Sequence, residues 1–567
     1  MKKSIVLLLC LAMALSVVAC APKEEAAEAV TLTGAGEGFG GEITATVVKE
    51  GDKIVSVEVV GEEETDGIGT LALDQLPAMI VEANSTEVDA ISGATYTSDG
   101  IIYAVNSALD PAAFPPFVAE VKEPTSPVDI NAAEVTQGVG IGSYGRKGPG
   151  VDDKDVQVWT FNTIMANVLF DKEGKILDIF VDQLEVGTPN YDGAGMPHLS
   201  GFPGQGGYNY DENHDEMIDS MTPDTEEQLF AEVEGWETKR ARGEAYVMGG
   251  GTIWFENMDA FQELFVGKTV AEIEEWNSMY TSDNNGRPLK DASEDAADKA
   301  KYDALSDDER AMLADVTSSA TMSLTDAHGD IIAVIKKAYE SRMPLEITEA
   351  ASSGFGFNSS ARKGPGVDDK DVQVWSINEI FANTMFDADG KIVSLHIDQL
   401  EFATPNYDGD GMPHFSGFPG QGGYNYDENH DEKIDGMTPD TEENYFAEIE
   451  GWKTKRERGD AYVMGGGTIW FENMDAFEEL FVGMTIEEVE EWNSKYTSDN
   501  NGRPLKDASE DAADKAKYDA LSDDDKAMLA DVTSSATMSL TDEHGNIINA
   551  IKASYENRRD INLSIGN

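Results

Sequence analysis

The chain has 567 residues, with 108 acidic against 41 basic side chains and a formal charge of -67. Such a surface repels nucleic acid and anionic lipid, so no nucleic-acid partner is expected, while a hydrophobic content of 40% is enough for packed cores. The two cysteines, Cys10 and Cys20, lie in the first twenty residues, which excludes iron–sulfur, haem-attachment and Cys-zinc chemistry from the rest of the chain.

In chain order, Lys2 and Lys3 precede the apolar run IVLLLCLAMALSVVA, a charged-then-apolar pattern that reads as an export signal over residues 1–20. Its end, Val17-Val18-Ala19-Cys20, resembles the lipobox of bacterial lipoproteins. That resemblance implies acylation of Cys20 and a lipid anchor at the extracytoplasmic face of the cell membrane, each buried CH₂ contributing about 0.8 kcal/mol. Residues 21–30, APKEEAAEAV, have no apolar period and read as a tether.

Residues 31–109 read as one small folding unit. The stretch 43–63, ITATVVKEGDKIVSVEVVGEE, alternates apolar and polar residues on either side of Gly51, the period-2 signal of a β-hairpin. It is followed by DAISGATYTS at 89–98 and an apolar helical segment, GIIYAVNSAL, at 100–109. Residues 110–136 are rich in Pro and charge and read as a linker.

The remainder is a tandem duplication with an offset of 216 residues, 137–345 and 346–567. GPGVDDKDVQVW occurs at 148–159 and 364–375, and DVTSSATMSL at 315–324 and 531–540. Each copy repeats the order of the first unit: a hairpin turning at Gly174 or Gly390, helical segments, a D-x-x-S-x-A-T stretch, then a final apolar segment. About 100 additional residues separate hairpin and motif in the large copies. Within them, Phe261, Leu264 and Phe265 mark a helix stopping at Gly267, and Thr269 with Glu272 forms a capping box. Ser306 with Glu309 repeats that cap just before the motif.

A helix cap accounts for Ser92 or Thr95, but a cap requires only one Ser, Thr, Asp or Asn. The stretch DAISGAT asks for more, and it resembles the motif of the FMN-binding domain family, found in the C subunit of the sodium-pumping NADH:quinone reductase, the G subunit of the Rnf complex and many exported lipoproteins. The resemblance covers residues 31–109 and includes EEETDGIG at 62–69. It implies that a flavin transferase joins FMN to Thr95 by a phosphodiester bond, with Asp89, Ser92, Gly93 and Ala94 as the recognition stretch. A Thr opening a helix lies where backbone N–H groups and the helix dipole favour a phosphate.

In the large copies Asp315, Ser318 and Thr321, and likewise Asp531, Ser534 and Thr537, keep the pattern, while Ser319 and Ser535 replace its Gly. If that position needs φ > 0, Ser costs roughly 1 kcal/mol or more. The fold class expected is α+β, with three tandem FMN-binding-type modules, each a small antiparallel sheet packed with helices, the last two carrying large insertions.

Other candidates are weaker. Asp211, Asn213, Asp215 and Asp219 fall at calcium-loop positions, but Glu216 stands where the turn Gly belongs. GEGFGG at 36–41 is followed by a strand pattern rather than a helix, so it is no dinucleotide fingerprint. The seven histidines form no metal-binding spacing and read as solvent-facing or structural. The function expected is a lipid-anchored extracytoplasmic flavoprotein with covalent FMN. It would carry electrons from a membrane reductase to a downstream acceptor and is a carrier rather than a complete enzyme. The rival is a surface binding lipoprotein whose Trp-containing repeats take a cation, sugar or protein.

Overall fold

Hairpin signals in the sequence become strands, joined in each case by a further strand rich in glycine. In the computed structural model the described residues are 29–38, 42–51, 53–61, 69–86, 88, 90–91, 94–115, 129–152, 155–189, 195–203, 208–210, 220–222, 225–248, 251–368, 371–405, 411–419, 424–426, 436–438, 441–465 and 467–566. They fall in two compact units, Met1–Pro124 and Thr125–Asn567. The architecture is mixed α and β with small antiparallel sheets.

In the first unit β2 (Glu42–Glu50) and β3 (Lys53–Val60) meet at Gly51, whose φ of +64° suits a residue without Cβ. The strand β1 (Ala29–Glu37) pairs antiparallel with β2, giving the order β1-β2-β3. Ile43, Ala45, Val47, Ile54 and Val57 turn inward and are covered by α1 (Gly69–Ala83) and α2 (Thr95–Leu109). Helix α2 lies directly on the backbone of β1. A Cβ on Gly34 would come 2.2 Å from Ala108 N, and one on Gly36 would come 2.2 Å from Gly100 O. The Gly-Ala-Gly of β1 is thus a seat for the helix, and it fixes the helix start at the Glu37 end of the sheet.

The second unit opens with a short strand, β4 (Ile130–Ala132), and then builds the same arrangement from the first repeat: β5 (Thr136–Val151), β6 (Gln157–Phe170) and β7 (Ile176–Gly187). The β6–β7 turn is held by Asp171 Oδ1, which accepts from Glu173 N (2.9 Å) and Lys175 N (2.8 Å), with Gly174 at φ +80°. The repeat then adds helices α3 (Glu226–Glu234), α4 (Trp254–Phe265), α5 (Val270–Tyr280), α6 (Ala296–Asp303), α7 (Asp307–Ser319) and α8 (Ile331–Ser341). Both expected capping boxes form, Thr269 with Glu272 and Ser306 with Glu309. Helix α8 sits on β5 as α2 sits on β1: Cβ atoms on Gly138 and Gly140 would meet Ala338 O at 1.8 Å and Val334 O at 2.1 Å. The second repeat does the same with Gly354 and Gly356 beneath the helix Ile547–Glu556. Its sheet is extended by the strand Arg559–Ile565, which pairs in parallel with β4.

The two repeats form one body. Strand β6 is buried on almost every residue, one face under its own helices and the other against the second repeat. There Phe161 lies 5.5 Å from both Trp452 and Phe415, and Phe402 stacks on Trp452 at 4.3 Å. The exchange is reciprocal, as expected for two near-identical surfaces. Helix α3 packs on the strand Glu349–Val367, with Ser359 Oγ donating to Val233 O, and helix α9 (Glu442–Glu450) packs on β5, with Tyr445 Oη donating to Thr160 O (both 2.7 Å). Among the described residues no helix is long and apolar enough to cross a membrane, and no group of His, Cys, Asp or Glu is arranged to hold a metal.

Candidate functional site

In the first unit Thr95 is the first residue of α2, after the buried N-cap residue Ala94. The approach is set by Ala94 N donating to Ile91 O (2.9 Å), with Ile91 N donating to Ser98 Oγ (3.0 Å). Asp89, Ser92 and Gly93 lie outside the described residues, as do the acidic loop 211–219 and its second copy.

The repeats place their motif differently. Thr321 does not open a helix; it follows the C-terminal end of α7, where Ala320 N donates to Val316 O (2.8 Å). The helix-dipole argument made for Thr95 does not extend to Thr321 and Thr537: nine residues separate Thr321 from α8. Ser319 and Ser535 are not among the described non-glycine residues at positive φ, so the expected cost of replacing Gly is not incurred. Asp315 and Ser318 are exposed and bonded to each other, Ser318 Oγ donating to Asp315 O (2.6 Å), and Asp531 with Ser534 repeats this at 2.7 Å. Of the anticipated residues of each repeat only the Thr reaches a cavity.

That Thr is held firmly. Asn257, 2% exposed on α4, accepts through Oδ1 from Thr321 N (2.8 Å) and Thr321 Oγ1 (3.2 Å), while its Nδ2 donates to Ile253 O (3.0 Å). Asn473 does the same for Thr537 at 2.9 and 3.3 Å. The motif loop is also joined to the loop before Arg287. Leu324 N donates to Gly286 O (3.1 Å), and Gly286, at φ +64°, leaves no room for a Cβ, which would come 2.4 Å from Thr325 O.

Beside Thr321 lies a cavity of about 520 Å³, and beside Thr537 the equivalent one of about 280 Å³. Its floor is a buried ion network on β5 and β7. Glu185, 1% exposed, pairs with Arg146 Nη1 at 2.7 Å and with Lys239 Nζ at 2.9 Å, and accepts from Thr160 Oγ1 (3.3 Å). Burial pushes Glu185 up, but Lys239, His328 and Arg146 more than offset it and hold the carboxyl far below its usual range. The same balance holds Glu401 at about 2. Lys239 also faces Tyr246 and Trp254, at 5.2 and 5.8 Å from the ring centres. His328 enters from a tight turn in which Asp326 Oδ1 accepts from His328 N (2.8 Å) and both carboxylate oxygens lie 3.0 Å from Nδ1. Arg287, Met196, Met248 and Met322 complete the lining. In the second repeat Arg362 is 6% exposed, yet its Nε has no partner among the described residues. A buried donor without an acceptor beside a cavity is one a polar or anionic ligand could satisfy.

Of these lining residues the sequence singled out only the Thr and, for the rival binding reading, Trp254; two of the histidines, most of which were expected to be solvent-facing or structural, line the cavities, His328 and His544. A usable signal was present: a Glu closing the strand pattern IFVDQLE, and again LHIDQLE 216 residues later, is a charge that must find a partner once buried.

The chain is similar to known proteins in the following ways. Residues 38–110 match the model of the FMN-binding domain. Chlorophenol reductase of Desulfitobacterium hafniense is 34% identical over 227 residues, 38% of this chain and 60% of that protein. Urocanate reductase of Eggerthella lenta is 35% identical over 105 residues, 17% of each chain. NADH:acrylate oxidoreductase of Vibrio harveyi is 35% identical over 78 residues, 14% of this chain and 8% of that protein. The chain thus spans no more than 60% of the length of any of these three relatives.

Proposed function

We propose, for a chain that belongs to the FMN-binding domain family through residues 38–110, that it is an extracytoplasmic electron carrier. FMN is joined through a phosphodiester to Thr95 by a flavin transferase, and Cys20 carries the lipid that holds the chain at the membrane. A membrane reductase supplies electrons, which pass to a downstream acceptor. When bound, FMN supplies one- and two-electron redox chemistry that the side chains themselves lack. Similarity to three proteins named as reductases or oxidoreductases supports a redox role.

The same reading extends to the repeats as two further FMN-binding-type modules. The observation that carries it is the threefold recurrence of one arrangement: a three-strand meander, a Gly-x-Gly seat on its first strand, and a helix on that seat preceded by the Ser-x-Ala-Thr stretch. The repeat cavities fit the group. Trp254, Tyr246, Arg146 and Lys239, which line the cavity, would hold it. Arg287 would meet the phosphate. The larger cavity, about 520 Å³, lies within the range of ligand pockets, about 300–1,000 Å³, and the smaller, about 280 Å³, just below it.

The test is intact mass of the exported chain co-expressed with a flavin transferase, beside Thr95→Ala, Thr321→Ala and Thr537→Ala. Three FMN adducts, one lost per variant, is the expected result. A single adduct lost only in Thr95→Ala assigns the repeats to another anion, and no adduct overturns the carrier reading.

A further inference from the structure

The cation content of the three Thr environments is unequal. Between residues 31 and 110 the only basic residues are Lys49 and Lys53. Both sit at the β2–β3 turn, the end of the sheet opposite to the start of α2. From Glu42 to Lys49 the strand runs roughly 24 Å at about 3.4 Å per residue, and Thr95 lies beyond Gly100, at the Glu37–Glu42 end. At that separation the two lysines are screened, because the Debye length is about 8–10 Å. The start of α2 contributes an acid instead, Asp99, four residues after Thr95. Each repeat cavity presents three permanent cations against two carboxylates: Arg146, Lys239 and Arg287 against Glu185 and Asp326 in one, and Arg362, Lys455 and Arg503 against Glu401 and Asp542 in the other. Of these, Lys239, Glu185, Lys455 and Glu401 are almost wholly buried, where charge acts at short range and low dielectric.

We infer that this difference orders the reduction potentials: a flavin in either repeat cavity is easier to reduce than the flavin on Thr95. The inference rests on the reading of the repeats as flavin carriers. Cations beside a flavin ring favour the form with added electrons, and acids oppose it. Electron exchange between the two kinds of flavin balances without a further reactant. Two electrons and their protons leave one reduced FMN, which becomes oxidised, and reach one oxidised FMN, which becomes reduced. The membrane reductase reloads the first.

Spectroelectrochemical titration of the full chain, co-expressed with a flavin transferase, tests the order. Thr95→Ala keeps only repeat flavins, and Thr321→Ala with Thr537→Ala keeps only the first. The expected result is a midpoint in Thr95→Ala more positive by at least a tenfold equilibrium preference, about 30 mV for a two-electron couple. In the Thr95→Ala background, Arg146→Gln with Arg362→Gln should lower that midpoint, and the charge-conserving Arg146→Lys with Arg362→Lys should hold it. Equal or reversed midpoints with flavin present in both variants overturn the inference, as does a midpoint that ignores Arg→Gln. Absence of flavin from Thr95→Ala, read independently by mass, overturns instead the reading on which it rests.

Discussion

Glu379 lies on the strand Gln373–Phe386 with no exposed surface, and the corresponding residue of the first repeat is Thr163. Burial pushes its carboxyl up to about 8; Thr163 offsets part of this, but the geometry falls short of a well-formed hydrogen bond. The folded value is above the unfolded value of 4.5, so the folded chain binds the extra proton between them. Stability from this group is therefore complete below pH 4.5 and is lost as the pH rises through 8. Between the unfolded 4.5 and pH 7, at about 1.4 kcal/mol per pH unit, Glu379 costs roughly 3 kcal/mol. Glu379→Thr, which restores the residue of the other repeat, and Glu379→Gln both remove the titration. The assay is urea unfolding followed by Trp fluorescence at pH 5, 6, 7 and 8; all eight Trp lie in the repeats, so the signal reports the second unit. Both variants should gain on the parent steadily from pH 5 to pH 8. Parallel pH profiles for parent and variants would refute the argument.

Lys239→Met removes the closest charge partner of Glu185 on one of its oxygens, leaving Arg146 and His328, and should cost about 3–5 kcal/mol in thermal unfolding, while adding Glu185→Gln should recover most of the loss. Gly140→Ala places a Cβ 2.1 Å from Val334 O and should exceed the usual overpacking cost of about 1–3 kcal/mol; Gly150→Ala, in open space at φ +66°, should cost only about 1–2 kcal/mol. Asn257→Ala with Asn473→Ala releases both repeat threonines from their fixed positions, and mass should show flavin lost from the repeats but kept at Thr95. Trp452→Ala removes a ring that touches both repeats and should cost about 3–5 kcal/mol in one cooperative transition of the second unit, read by calorimetry.

Hairpins and caps were legible because they rest on local rules. The period-2 stretches at 43–63 and 166–185 became paired strands, and Thr269 and Ser306 capped helices where the spacing required. The first strand of each meander was not legible, since β1 and β5 hold small residues where an apolar alternation would be sought. Gly34 and Gly138 are there to let a helix approach, a demand set by a segment at least 70 residues away. Thr321 and Thr537 were legible as members of a motif, but not their position after a helix, because the intervening turn around His328 is stabilised by Asp326 and by Gln183 Nε2 donating to His328 O (3.0 Å) across the sheet. The cations of the cavity were illegible for a related reason. Arg146, Lys239 and Arg287 come from segments far apart in the chain, and only the register of β5 with β6 and β7 brings the first of them to Glu185.

The duplicated half of the chain is not two independent beads, and this bears on how its sites behave. Each cavity is lined by its own repeat alone, so the chemistry of each is separable. The support is shared: α3 and α9 each cover the other repeat's first strand, and Phe161, Trp236, Phe402, Phe415 and Trp452 belong to a single aromatic core. Opening one sheet would expose aromatic surface on both, at roughly 25 cal/mol per Å². The floors of the cavities, Glu185 on β7 and Glu401 on the strand Ile392–Ala403, lie on the same sheets that this core joins. The buried ion networks of the two repeats therefore stand or fall together, while substitutions at the outer lining, such as Arg287 or Arg503, act on one cavity at a time.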